Sequence, residues 1–226
     1  MTRSRLALLG AIGAVLVLLA SPWWGRRALR ALAYFHVREV RVVGTRYLIP
    51  RDVVAAMRVD TNASTWDDLR PYASRVNALA LVRYAEVDRE LPGTLVVHVT
   101  ETAPVAMVPA AGGLRVYDAR ARVLPIDPTR ADVDVPVIDR PDAVVTRLLG
   151  GVEALSPRMF ARISSVSRLG EQIIVQLDRG VVRAGIDVTP DRLAGAGLVA
   201  ADLDRRGQHY TELDLRYRDQ IVARLQ

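Results

Sequence analysis

Histidines and pairs of neighbouring acids are the residues of this sequence that could do acid–base or metal chemistry. His36, His98 and His209 lie far apart, and none has a second histidine two to five residues away to share a metal ion. A catalytic pair of carboxylates needs surroundings that separate the two pKa values, and nothing in the sequence shows such surroundings. In a chain with 31 strongly basic residues, all of them arginine, we interpret the acid pairs as surface charges. The pairs are Asp67 with Asp68, Asp132 with Asp134, and Asp202 with Asp204.

Other kinds of chemistry lack their sequence signals as well. No serine-nucleophile elbow, zinc-protease motif, phosphate-binding loop or dinucleotide fingerprint occurs, and the absence of cysteine excludes thiol chemistry and disulfides. The net charge of +6 does not indicate nucleic-acid binding, because the first 30 residues hold five arginines and no acid, which leaves +1 on the rest. We therefore predict no catalytic, cofactor-binding or metal-binding residue, no cofactor, no small-molecule substrate and no nucleic-acid partner.

The start of the chain predicts a membrane anchor. Residues 6–25 contain no charge, and as a helix they would span ~30 Å, the thickness of one hydrocarbon core. We favour an uncleaved anchor over a cleaved signal peptide, because a cut after Ala20 would put Leu18 where a small residue is needed. Residues 1–5 would then be a short cytoplasmic tail, with the bulk of the chain outside the cytoplasm. The apolar residues of the predicted span are Leu6, Leu8, Leu9, Ile12, Val15, Leu16, Val17, Leu18 and Leu19.

The segment 35–103 predicts the element order β-α-α-β-β. Residues 37–43 alternate as a half-buried strand that ends at Gly44. Pro50 opens a first helix, and a second begins at Asp67 or Asp68, which places Pro71 in its first turn. Two further alternating runs flank the turn sequence LPGT.

This segment resembles a POTRA domain, and the stretch VRYAEVDRELPGTLVVHVTETAPVA is characteristic of the FtsQ/DivIB family of cell-division proteins. The upstream stretch VREVRVVGTRYLIPRDVVAAM resembles the family's first strand and helix. The order of parts also fits, with a short N-terminus, one span, a POTRA domain and a β-rich domain. The resemblance implies an α+β fold whose first folded part, residues 35–103, is the POTRA domain.

Residues 104–226 form the predicted β domain, with a mixed or antiparallel sheet. Strands are expected at 114–118 and 123–124, at 162–168 and 172–177, at 181–186, and at 210–217 and 220–225, with a short extended piece at 135–138. Helices are expected at 144–155 and 190–205. The closing stretch YTELDLRYRDQIVARL resembles the last strands of the FtsQ/DivIB family. Ala121 and Asp139 stand where the family usually has glycine, which leaves those turns open.

The last strand is the candidate binding site. A strand near a chain end is often an edge strand, to which a partner can add a strand of its own. From the residues alone, a strand that binds a partner and a strand that merely closes the sheet are equally well supported. The resemblance implies binding of an FtsB-like protein, in complex with an FtsL-like one. The residues concerned are Arg216, Tyr217, Asp219, Gln220, Ile221, Val222, Ala223 and Arg224.

The function implied by the resemblance is assembly and not catalysis. The chain would be a single-pass scaffold of the division machinery in the cytoplasmic membrane at the septum. Its POTRA domain would dock other division proteins, and membrane lipid would surround its anchor. Two alternatives stay open, an outer-membrane assembly or secretion component with POTRA domains, and a membrane-tethered periplasmic enzyme.

Overall fold

The computed structural model describes residues 25, 27–217 and 220–226. Among these residues, none of the helices has both the length and the apolar character that crossing a bilayer requires. The predicted span, residues 6–25, lies outside the described part of the chain except for Gly25. The chain folds as two compact units that divide between Glu101 and Thr102, which we call the first unit and the second unit.

The first unit has the predicted element order β-α-α-β-β, which is thereby confirmed. A helical stretch at residues 27–31 and a 3-10 turn at Ala33–Phe35 precede these elements. The second helix begins at Arg70 and not at Asp67 or Asp68. The Asp68 carboxylate lies before the helix, where it accepts from the backbone N–H of Arg70 at 3.2 Å and pairs with its guanidinium at 2.8 Å. The elements are β1 (Glu39–Val43), α1 (Pro50–Met57), α2 (Arg70–Asn77), β2 (Val82–Glu90) and β3 (Thr94–Glu101).

The three strands form one sheet in the order β1-β3-β2, in which β1 runs parallel and β2 antiparallel to β3. Alternation along β3 places every second side chain in the core, where it meets the apolar stripes of α1 and α2. The fully buried side chains here are Leu95, Val97, Val53, Met57 and Val76.

The loop before α1 is fixed by one glycine and one carboxylate. Gly44 has a φ of +89°, and a Cβ on it would lie 2.2 Å from the carbonyl oxygen of Val99. The Glu101 carboxylate accepts hydrogen bonds from the backbone N–H groups of Arg46 and Leu48 in this loop, at 2.9 and 2.8 Å. This carboxylate at the end of β3 therefore satisfies backbone donors that the loop itself leaves unpaired.

The second unit contains nine strands and three helices among its described residues. The helix at Pro190–Arg205 has the predicted bounds. The strands are β4 (Ala106–Ala110), β5 (Gly113–Tyr117), β6 (Val123–Leu124), β7 (Val137–Ile138), β8 (Ile163–Leu169), β9 (Gln172–Leu177), β10 (Val181–Gly185), β11 (Tyr210–Asp214) and β12 (Val222–Leu225). The helices are α3 (Ala143–Leu155), α4 (Pro157–Phe160) and α5 (Pro190–Arg205).

These strands form one mixed sheet in the order β12-β11-β10-β9-β8-β7-β4-β5-β6. The parallel neighbours are β10 with β11, β7 with β8, and β4 with β7. The apolar sides of α3 and α5 pack with one face of this sheet in a single core, in which Leu149, Ile173, Leu193 and Leu213 are fully buried. The α+β fold class with a β-rich second part is therefore confirmed.

Two elements of the second unit, β4 and α4, were not predicted from the sequence. Strand β4 contains Pro109, which argues against an internal strand. The strand forms nonetheless, because its pairing with β7 is confined to Met107 and Val137, so Pro109 has no donor to supply on that side. Helix α4 is one short turn, and the Ser156 hydroxyl caps it by accepting from the N–H of Met159 at 3.4 Å.

Candidate partner-binding edge

Strand β12 is the last strand of the nine-stranded sheet and pairs antiparallel with β11 alone among the described strands. The N–H of Gln226 donates to the carbonyl oxygen of His209 at 3.0 Å, so this residue faces β11. Backbone groups of an antiparallel strand point alternately to its two sides. The N–H and C=O of Leu225 and Ala223 therefore point away from β11, towards the side where a further strand would pair.

The side chains of β12 divide between the two faces of the sheet. Ala223 lies opposite the fully buried Leu213, and it packs with Ile221 against the core of the second unit. Val222 and Arg224 point to the other face and are exposed. The edge thus offers a pleated strand with an apolar side and a polar side, which is the pattern that a partner strand would have to match.

Arg216 lies in the turn between β11 and β12 and is held by Asp214. Its Nε and Nη2 atoms donate to the two carboxylate oxygens of Asp214 at 2.9 and 2.6 Å. This pairing with Arg216 holds the pKa of the largely buried Asp214 carboxyl below its ordinary value, against the opposite effect of burial. The arginine predicted to contact a partner is thus already fixed in direction, while its side chain stays 44% exposed.

The same turn is fastened from a second direction by Arg192, in the first turn of α5. Its Nη2 donates to the carbonyl oxygens of Leu215 at 3.0 Å and of Tyr217, with a longer contact of 3.5 Å to Gln220. The exposed ring of Tyr217 is therefore carried on a braced turn. Asp219, also predicted to bind a partner, lies outside the described residues.

Sequence reasoning missed Arg192. One local signal could have indicated it, since an arginine in the first turn of a helix is unfavourable for the helix dipole and needs another reason to be there. The contacts that supply this reason join residues more than 20 positions apart, so no local pattern contains them.

Glu212 joins the three last strands on the polar face. Its carboxylate lies 2.8 Å from Nε of Arg183 on β10 and 3.9 Å from Nη1 of Arg224 on β12. Because the Arg224 side chain is 74% exposed, its guanidinium remains available at the rim of the edge. The described partner-site residues predicted from sequence thus lie along one stretch of turn and edge strand. That they bind a partner stays a prediction.

Asp142, an acid outside the pairs named from the sequence, lines a cavity and caps a helix. A cavity of about 230 Å³ lies beside the start of α3, and Asp142 and Arg168 are among the residues that line it. These two side chains pair at 3.0 Å. Burial opposes ionisation of Asp142, but hydrogen bonds from the N–H groups of Val144 and Val145, together with Arg168, outweigh it and lower its pKa. Asp142 is thus the cap of α3.

The His98 side chain is exposed and belongs to no metal-holding group among the described residues. His98 lies near Asp88 at 3.7 Å, and both side chains are more than half exposed. In the described ranges, no group of three or more histidines and acids is arranged to hold a metal ion.

Comparison with known proteins identifies the first unit. A family model described as "POTRA domain, FtsQ-type" matches residues 35–102. The search of curated proteins gave no match. One similar solved structure is the major extracytoplasmic domain of the trans isomer of the bacterial cell division protein DivIB from Geobacillus stearothermophilus. The two chains share 21% sequence identity with a TM-score of 0.36, and the match covers 47% of this chain and 97% of the DivIB domain.

Proposed function

We propose that this chain, a member of the FtsQ/DivIB family of cell-division proteins by its POTRA domain, is a membrane-anchored scaffold of the bacterial division machinery. The POTRA match carries the link to cell division. Its residues best support a role in assembling partners and not in catalysis.

The open edge of β12 is the observation that carries the scaffold role. Ala223 and Leu225 direct their backbone donors and acceptors away from β11, and unpaired edges of this kind are ready templates for a partner strand. The turn before β12 is braced by Asp214 and Arg192, so the edge is held in place before a partner arrives. Such preorganisation lowers the entropic cost of binding.

The partner that we propose for this edge is an FtsB-like division protein, in complex with an FtsL-like one. A peptide strand would pair with β12 through backbone bonds, and exposed Tyr217 and Arg224 would contact its side chains. Other division proteins would dock on the POTRA domain. Residues 6–25 would anchor the chain in the cytoplasmic membrane, where confinement raises the effective concentration of all these partners.

Calorimetry with the full chain in lipid nanodiscs and the extracytoplasmic peptide of the FtsB-like protein tests the proposal. Ala223→Pro removes a backbone donor that faces the partner without removing one that faces β11. Ala223→Val is the matched control, because it changes the side chain at the same place and keeps the N–H.

We expect saturable binding by the wild type and by Ala223→Val, and a loss of about a hundredfold or more in Ala223→Pro, because backbone bonds on both sides of the missing donor are disturbed. Circular dichroism establishes that each variant is folded. Equal binding by all three folded proteins would show that the partner does not pair with β12.

A further inference from the structure

The segment that follows the predicted membrane span is attached to the rest of the first unit through aromatic rings and arginines. The ring of Phe35 packs edge-on against Tyr34 at 5.2 Å and against Trp66 at 6.0 Å between centroids. The guanidinium of Arg89 lies 5.7 Å from the Trp66 ring. Nε of Arg30 donates to the carbonyl oxygen of Trp66 at 3.0 Å. The helical stretch that contains Arg30 is thus tied to the loop around Trp66.

Backbone bonds continue this attachment beyond the helical stretch. The carbonyl oxygen of Phe35 accepts from the N–H of Thr65 at 2.9 Å, and the N–H of Val37 donates to the carbonyl oxygen of Ala63 at 2.8 Å. The fully buried hydroxyl of Thr65 donates to Phe35 as well, at 3.2 Å. Residues 30–37 are therefore part of the folded first unit and not a flexible linker.

Four exposed side chains between residues 27 and 38 form what we call the juxtamembrane face: Arg27, Leu32, Tyr34 and Arg38. Leu32 is 50% and Tyr34 is 65% exposed, although both are large and largely apolar. Arg27 and Arg38 are exposed as well, and Nη2 of Arg38 donates to the carbonyl oxygen of Tyr34 at 2.9 Å. From residue 25 to residue 38 the sequence contains no acid, and Asp67, which the fold brings to this stretch, is paired with Arg30 at 3.1 Å. Arg27 and Arg38 therefore add positive charge beside the apolar Leu32 and Tyr34.

The predicted span determines how far this face can lie from a bilayer. Seven positions separate Gly25, the last residue of the apolar stretch, from Leu32. At a helical rise of ~1.5 Å per residue this is roughly 10 Å. The headgroup layer on each side of the hydrocarbon core is about 5 to 8 Å thick, and tilting of a span brings the following residues closer. Leu32 therefore lies just outside the headgroup layer when the span is upright, and tilting of the span brings Leu32 and Tyr34 to this layer.

We propose that the juxtamembrane face, Arg27, Leu32, Tyr34 and Arg38, docks on anionic lipid headgroups and thereby fixes the orientation of the first unit at the membrane. This inference rests on the proposed membrane anchor. Arginines attract anionic lipid, and tyrosine is favoured at the membrane interface, where its ring is buried and its hydroxyl is hydrated. A negatively charged surface is the occupant that the excess of arginine over acid in residues 25–38 favours.

The natural chain lacks cysteine, so one introduced cysteine gives a single reporter site. The exposed Ala33 lies between the two apolar residues of the face, and Ala33→Cys carries a fluorophore there. Full-length protein is placed in nanodiscs of phosphatidylcholine, with or without 30 mol% phosphatidylglycerol (about the proportion of anionic lipid that gives a strong surface potential), and with a spin-labelled headgroup as quencher. Arg27→Gln with Arg38→Gln tests the face. Arg115→Gln with Arg158→Gln removes the same charge from exposed positions of the second unit.

We expect strong quenching in the anionic nanodiscs and weak quenching in pure phosphatidylcholine. The Arg27 and Arg38 variant should lower the docking equilibrium constant by about fivefold per arginine, and the control variant should not change it. Equal quenching in both lipids, or in both variants, would overturn the inference.

Resistance of the protein to alkaline carbonate extraction separates this inference from the proposed function. If the protein stays in the membrane and the label is not quenched, the anchor holds and the docking inference is wrong. If carbonate extracts the protein, the anchor on which both rest is wrong.

Discussion

The edge strands β2 in the first unit and β12 in the second unit differ in whether their outward backbone groups are already hydrogen-bonded. At β2 in the first unit, the amide side chain of Asn77 occupies the edge, accepting from the N–H of Ala85 at 2.9 Å and donating to its carbonyl oxygen at 2.8 Å. At β12 in the second unit, Ala223 and Leu225 have the corresponding outward backbone groups, and no described strand pairs there.

This difference shows that the position of a strand in a sheet does not decide whether its edge is available. Strand β2 is the longer of the two and would be the better template, with nine residues against four for β12. An asparagine side chain mimics one residue of an added strand and blocks it at its centre, as natural edges are commonly blocked. In the part of the chain that the structure describes, no side chain is bonded in this way to the outward groups of the short β12, and the turn before it is braced instead.

Removing the plug should have the largest effect on stability. Asn77→Ala leaves the N–H and C=O of Ala85 without their partners and also removes the bond from Asn77 to the carbonyl oxygen of Ala73. We expect the free energy of unfolding of the first unit to fall by about 2 to 3 kcal/mol, since each lost bond contributes about 1 kcal/mol. Urea denaturation measures this.

Asn62→Ala is the matched control, because Asn62 is exposed and its side chain is replaced in the same way. It should change the unfolding free energy by less than about 0.5 kcal/mol. Equal effects of the two variants would mean that Asn77 does not protect the β2 edge.

Loosening the turn before β12 should have the next largest effect. Arg192→Ala removes the donor that holds Leu215, Tyr217 and Gln220. We expect affinity for a β12 partner to fall about tenfold or more, because the partner must then order the turn itself. Arg205→Ala removes an exposed arginine further along α5 as the control. Unchanged affinity in Arg192→Ala would contradict the role of the brace.

Acid should weaken the second unit through Asp214. A carboxyl whose native pKa lies below its unfolded value contributes stability that is fully present above the unfolded value, about 3.9, and is lost as the pH falls through the native pKa. The contribution is modest, because the half-exposed Arg216 is screened by solvent. In Asp214→Asn, thermal unfolding should depend less steeply on pH below about 4. An unchanged slope would count against the Asp214–Arg216 pair.

The smallest effect is expected at the opposite end of the nine-stranded sheet. Ala121, in the turn between β5 and β6, has a φ of +58°, a conformation that suits glycine better. Ala121→Gly should raise the unfolding free energy of the second unit by up to about 1 kcal/mol, as judged by its urea midpoint. A lower midpoint would show that the gain in the folded state is smaller than the added freedom of the unfolded chain.

The sequence predicted the order of elements well, because alternating and helical apolar patterns are local. The strands around the LPGT turn and the helix at Pro190–Arg205 show this most clearly. The conformation of the turn at Ala121 could not be predicted. The structure shows that Ala121 itself adopts the left-handed conformation for which the family usually has glycine.

The features that distinguish the two edges could not be predicted from sequence. Asn77 reaches Ala85 across eight positions, and Arg192 reaches Tyr217 across 25. Neither contact follows from propensity or periodicity, because each depends on how a helix end meets a strand or turn of the folded unit. The position of the last strand was predictable, but its open side and its brace were not.

Hydrogen exchange of the full chain in nanodiscs, with and without the FtsB-like peptide, would show whether β12 receives a partner strand. We expect the amides of Ala223 and Leu225 to exchange rapidly in the free protein and to become protected when the peptide binds. The amide of Ala85, already bonded to Asn77, should be protected in both states. Protection of Ala223 and Leu225 without the peptide, or peptide binding that leaves them unprotected, would contradict the claim that β12 is the edge that receives a partner.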